Sequence, residues 1–106
     1  MTNSGHWVVK LPASINNWHA PTLMFYVYIL RSSKDSKLYM GSTADLRRRL
    51  AEHNDGKVVS TKNRKPFELI YYEAYNNEKD ARTREHNLKL RSNALFQLKK
   101  RLKRSL

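Results

Sequence analysis

Between Leu38 and Asn54 the sequence changes its period, and that change constrains the fold more than any other stretch. Leu38-Tyr39-Met40-Gly41-Ser42 alternates as a strand does, with Leu38 and Met40 on one face and Tyr39 and Gly41 on the other. The next residues repeat at helical spacing: from Leu46 the positions i, i+3, i+4 and i+7 are Leu46, Arg49, Leu50 and His53. A strand leading into an amphipathic helix is predicted, with an arginine and a histidine on the buried face and Arg47, Arg48 and Glu52 pointing outward. Burying a cation without a partner is costly. Arg49 and His53 are therefore expected at the rim of the core, where a charged ligand or a carboxylate meets them. Ser42 or Thr43 is the expected N-cap, Asp45 complements the helix N-terminus, and Asn54-Asp55-Gly56 ends the helix.

The remaining segments complete a small α+β plan. Phe25 to Arg31 is rich in aromatic and β-branched residues and reads as a first strand, with Tyr26 and Tyr28 sharing one face and Phe25, Val27 and Ile29 the other. A polar turn from Ser32 to Lys37 makes a hairpin with the strand at Leu38. Lys57 to Pro66 carries Lys57, Lys62, Arg64 and Lys65 without an acidic residue or a clear period, and reads as an exposed basic loop for phosphate contact. Phe67 to Tyr75 is a third strand, in which Leu69, Tyr71, Glu73 and Tyr75 alternate with Ile70, Tyr72 and Ala74. Asn76 or Asn77 caps a second helix over roughly 78–91, whose inward set is Ala81, Arg84, Glu85 and Leu88. The last helix opens at Ser92 and runs to about Arg104, with Leu95, Phe96, Leu98 and Leu102 apolar and Lys99, Lys100, Arg101, Lys103 and Arg104 basic. Residues 1–23, with Trp7, Trp18 and two prolines, lack pattern and are expected to be a loose arm or the result of an upstream start. Residues 24–106 then form one domain.

Charge narrows the partners. The 106 residues carry 21 Lys and Arg against 9 Asp and Glu, a formal net charge of +12, which points to polyanions. A surface charged only for solubility is the bland alternative. No apolar run approaches the roughly 20 residues that a spanning helix requires, and no secretory signal pattern opens the chain. A soluble cytoplasmic protein, near the nucleoid or not, is expected. Cysteine is absent, so any metal must be held by oxygen or imidazole.

Two strand tyrosines, an Arg and a His one turn apart, and an inward Glu can converge on one pocket. Each has an innocent reading: strand tyrosines usually pack, Arg49 can pair with Glu85, and a lone His is more often structural. Together, however, Tyr26-Val27-Tyr28, Tyr39-Met40-Gly41, Asp45 to Leu50 with His53-Asn54 and Gly56, and Glu85-His86-Asn87-Leu88-Lys89 resemble the GIY-YIG nuclease superfamily. The likeness spans Phe25 to about Arg91 and is closest to the small stand-alone bacterial members. It implies a three-stranded antiparallel sheet flanked by about three helices.

By that resemblance Tyr28 and Tyr39 are the tyrosines of the two motifs, Arg49 the family arginine, His53 the histidine a turn later, and Glu85 the ligand of a single divalent metal, Mg2+ or Mn2+. The implied reaction is hydrolysis of DNA phosphodiesters in duplex or branched DNA, as in repair or recombination, with RNA left open. Water attacks phosphorus, helped by a tyrosinate or His53, while Arg49 stabilises charge. A tyrosine with pKa near 10 is only about one part in a thousand ionised at neutral pH, so that scheme expects neighbouring cations to lower it. Lys57, Lys62, Arg64, Lys65, Lys99, Lys100 and Arg101 are the expected nucleic-acid contacts. The sequence departs from the family pattern at Tyr26, which replaces the first-motif glycine, at Met40 in place of isoleucine, and at Ser42, where several members have lysine. For the late asparagine only Asn87 and Asn93 stand as candidates. The alternatives are a weakly active or non-catalytic nucleic-acid-binding module of the same fold and, last, a ribosome-associated or protein-binding adaptor.

Overall fold

A computed structural model describes residues 23–106. The loose arm expected at residues 1–23 lies, Leu23 apart, outside the described residues. The order is β1 (Phe25–Ser32), β2 (Leu38–Thr43), α1 (Leu46–Asn54), β3 (Phe67–Tyr75), α2 (Glu78–Leu90) and α3 (Ser92–Arg101). The strands form one antiparallel sheet ordered β2-β1-β3. The most apolar strand, β1, takes the centre, where both faces are covered and Val27, Tyr28, Ile29 and Leu30 are all buried.

Alternation along β1 divides the core in two. Val27 and Ile29 meet Ala81 and Leu88 of α2 and Leu98 and Leu102 of the α3 segment on one face, with Phe25, Leu38 and Met40 beside them. Tyr28 and Leu30 meet Phe67 on the other, with Tyr39 and with Leu46 and Leu50 of α1. Around Tyr28 and Leu30 this face is thus a second core under α1.

The simple alternation expected in β3 is broken once. Leu69 pairs with Leu30 and Tyr71 with Ile29, so Ile70 is an extra residue with no partner on β1. Such a bulge moves every later side chain to the opposite face. Phe67 and Leu69 consequently lie on the α1 side, while Tyr71 and Tyr75 join the α2–α3 side. There Tyr71 and Tyr75 donate to the Glu73 carboxylate, which also pairs with Arg84 at 3.0 Å. Arg84, on the inward face of α2, is satisfied by this network.

The helix ends follow from local chemistry. Asp45, not Ser42 or Thr43, is the N-cap of α1: its backbone is extended and its Oδ1 accepts from the Arg48 amide at 3.1 Å, a contact worth about 1 kcal/mol. Thr43 instead accepts from the Asp45 amide. Gly56 takes φ +76° just beyond the helix, a conformation that a Cβ disfavours. Asn77 caps α2, accepting from the Lys79 amide at 2.8 Å. The regular part of α3 ends at Arg101, short of the expected Arg104. Phe96 also differs from expectation. It is 58% exposed, with the Lys100 ammonium 5.5 Å from its ring centroid, because Ala94 and Leu98 supply the face that packs.

Candidate active site

The site is assembled around the free edge of β2. Tyr28 on β1 and Gly41 on β2 are register partners. An added Cβ at position 41 would stand 2.6 Å from Tyr28 Cζ, and the hydroxyl would be closer still. The missing side chain is therefore what gives the Tyr28 ring its room, and it directs the hydroxyl toward α1.

There it meets His53, placed by the last turn of α1. Tyr28 Oη and His53 Nε2 are 2.8 Å apart, and His53 Nδ1 is 2.8 Å from Thr61 Oγ1. All three side chains are buried, His53 and Thr61 with no exposed surface. The direction that gives every hydroxyl an acceptor runs one way. Tyr28 donates to Nε2, Nδ1–H donates to Thr61, and the Thr61 hydroxyl faces the Val58 carbonyl over a long 3.5 Å. Burial, and secondarily Arg49, press the imidazole below its ordinary pKa, so it is a neutral acceptor near pH 7. Tyr39 closes the other side, its ring 5.0 Å from His53 and 6.4 Å from Tyr28 between centroids. Thr61 and Val58 show that the basic loop is not wholly exposed: it folds over the histidine. A β-branched hydroxyl residue inside a basic tract was the available signal, and it is weak.

Arg49 lies beside the Tyr28 hydroxyl and pairs with Glu52 at 3.1 Å, rather than with Glu85. Glu52 is half-buried by that pairing and does not simply point outward. Two effects oppose each other at Tyr28. Burial pushes the phenol up and Arg49 pulls it down; burial wins, and the pKa rises to about 12. Arg49 does lower this tyrosine as expected, but burial outweighs it.

Glu85 arrives from α2, on the opposite face, and reaches the same edge. Its Oε1 accepts from Ser42 Oγ at 2.6 Å and its Oε2 is 2.7 Å from Lys89 Nζ. Burial alone would raise this carboxyl, but Lys89 and Ser42 outweigh it and hold the group below its usual value, hence ionised. Its charge reaches Tyr28 across β2. Lys89, one turn beyond Glu85, also stands 5.9 Å from the Tyr39 ring centroid. Sequence reasoning quoted Lys89 only as part of the Glu85-to-Lys89 motif and gave it no role, although the i,i+4 spacing from Glu85 was visible. A cation thus stands against Tyr39 even though Ser42 occupies the position of the family lysine. Asn87 is engaged elsewhere, accepting from Arg91 at 3.1 Å.

Glu85 suits one kind of metal. Among the described residues no three His, Asp or Glu side chains cluster as ligands. A lone ionised carboxylate fits a magnesium-type ion, which keeps several waters and takes phosphate oxygens from a substrate. Lys89, 2.7 Å from Oε2, would share the charge of this carboxylate with such an ion.

The expected nucleic-acid contacts are spread around this centre. Lys57, Lys62 and Lys65 are exposed on the loop that covers His53, whereas Lys99, Lys100 and Arg101 are exposed on α3, across the sheet. Arg64 is differently placed. It pairs with Asp35 at 2.7 Å, donates to the Lys37 carbonyl at 3.1 Å and stands over Phe67, stapling the loop to the β1–β2 turn. No helix of the described residues is long and apolar enough to cross a membrane.

Known proteins are similar to this chain. A UPF0213 protein of Pediococcus pentosaceus is 42% identical over 69 residues, covering 64% of this chain and 72% of its own. One from Haloquadratum walsbyi is 38% identical over 76 residues, covering 71% and 78%. The solution NMR structure of a UPF0213 protein from Bacillus halodurans is 35% identical, covers 71% of this chain and 81% of its own, and aligns with a TM-score of 0.45. The profile of the GIY-YIG catalytic domain matches residues 24–101, and this chain belongs to that family.

Proposed function

We propose that the protein is a metal-dependent endonuclease that hydrolyses phosphodiester bonds in DNA. The observation that carries this reading is the hydrogen-bonded line Tyr28–His53–Thr61 beside Arg49, with an ionised Glu85 across the same strand edge. With its pKa at about 12, Tyr28 is phenolate in about one molecule in 10^5 at pH 7, a deficit of about 7 kcal/mol. By itself the protein thus holds little Tyr28 phenolate. Tyr28 instead acts as a relay. Its Oη takes a proton from the attacking water as its own proton passes to His53 Nε2, while Thr61 holds Nδ1–H. The resulting hydroxide bonds to phosphorus, the bond to the leaving oxygen breaks, and that oxygen takes a proton from solvent. Arg49, always charged, stabilises the added charge on the phosphate. A divalent ion held by Glu85 supplies further positive charge at the phosphate when bound.

The test is a panel of supercoiled, single-stranded and branched DNAs incubated with Mg2+, Mn2+ or chelator. Metal-dependent cleavage is expected, and Arg49→Ala should reduce it by roughly 10^2- to 10^3-fold while binding persists. One observation favours a second reading, a binding module with little catalysis: Lys89 sits on the carboxylate that the metal requires. Salt-dependent binding of every DNA without cleavage under any metal would select it.

A further inference from the structure

We infer that the cleft between Tyr26, Tyr72 and the start of α1 is a subsite for one unpaired DNA base, resting on the nuclease reading above. The cleft measures about 460 Å3 and is lined chiefly by Tyr26, Tyr72, Leu46, Leu50, Leu69 and Arg47. Volumes of roughly 300–1,000 Å3 suit small ring systems. Tyr26 and Tyr72 stand edge to face with centroids 5.9 Å apart, and Tyr72 is 52% exposed. This offers one aromatic face to a ligand while the other ring braces it.

Two features select a base. The first is continuity with the phosphodiester site: Tyr26 and Tyr28 lie on the same face of β1, two residues or about 7 Å apart, and Tyr72 is the register partner of Tyr28. Through Tyr28 the cleft and the phosphodiester site share one face of the sheet. The second is charge. Asp45 also lines the cleft, which disfavours a phosphate inside it, whereas Arg47, lining it from the helix start, offers a cation to the backbone of a bound nucleotide. In a chain of net charge +12, the ring enters and the phosphate stays outside. A base paired in duplex cannot enter, so the subsite takes a base from a gap, a branch or a single strand.

The experiment places 2-aminopurine at one unpaired position of a gapped DNA and reads its fluorescence and affinity in chelator, where cleavage does not intervene. Wild type should quench the probe and bind the gapped DNA more tightly than the matching full duplex. Tyr72→Ala should lose the quenching and weaken the gapped complex by about tenfold, the size of one base–aromatic stack, and leave duplex binding unchanged. Tyr72→Trp should restore both. Equal quenching and equal affinity in wild type and Tyr72→Ala would overturn the subsite, as would an equal loss on gapped and duplex DNA. Cleavage assayed separately with metal decides the nuclease reading: cutting with no probe response refutes the subsite alone, and a probe response with no cutting refutes the nuclease alone.

Discussion

Gly41 and Tyr28 face each other across the β1–β2 ladder, and the space that glycine leaves is filled by the tyrosine ring. The second motif's glycine is thus a packing requirement of the first motif's tyrosine. Gly41→Ala drives a methyl into that ring. A loss of about 1–3 kcal/mol in unfolding free energy is expected, as for other overpacked cores, together with weakened cleavage. Urea denaturation checks the first part, and an unchanged midpoint would show that the ring moves aside freely.

Thr61 matters through His53, which it holds by Nδ1 at 2.8 Å. Thr61→Val keeps the shape but leaves that nitrogen buried without a partner, at a cost of about 1–3 kcal/mol. The histidine also loses one of the two bonds that set its tautomer, leaving only that from Tyr28. Nitrogen NMR of the imidazole should show the ring no longer held in the Nδ1–H form, and cleavage should fall without a matching loss of DNA affinity. A wild-type spectrum would remove Thr61 from the relay.

His53 makes stability depend on pH in a window of its own. Its folded pKa lies below the 6.5 of the free side chain, so the unfolded chain binds the proton more readily. The stabilisation is complete above pH 6.5 and is lost as pH falls from there through the folded value, at no more than about 1.4 kcal/mol per pH unit. Glu73 and Glu85 also have lowered folded pKa values, but from 4.5, so their losses come at more acid pH. Between pH 7.5 and 5.5, wild type should therefore lose more stability than His53→Gln. Parallel curves would contradict the buried neutral imidazole.

Lys89 competes for the carboxylate that a metal needs, 2.7 Å from Glu85 Oε2. The lysine is nearly half exposed, so the pair is weak, of order 0.2–1 kcal/mol. Lys89→Gln should tighten Mn2+ binding by only about 1.4- to fivefold, measurable by calorimetry or by the spin signal of the free ion. Unchanged or weaker binding would mean that Lys89 does not guard Glu85.

What the sequence revealed of this fold and what it concealed have physical reasons. Strand and helix periods over β1, β2 and α1 were plain because each element buries one face or stripe, and the same periods placed Arg49, His53 and Glu85 inward. Tyr39–Lys89 and His53–Thr61 were not readable, since the first pair spans two elements and the second joins a helix to a loop without periodicity. The face assignment of Leu69 failed because a single unpaired residue, Ile70, leaves no mark on composition while reversing the side-chain order. Whether a phenol is raised or lowered depends on how burial balances against Arg49, and only coordinates give that balance.

The most direct measurement is single-turnover cleavage of the best DNA substrate by wild type and by Glu85→Gln, with DNA affinity determined in parallel. The substitution removes the ionised carboxylate while keeping its shape. Cleavage lost and affinity retained or improved is the predicted outcome. Undiminished cutting by Glu85→Gln would contradict the placement of the reaction at the β2 edge.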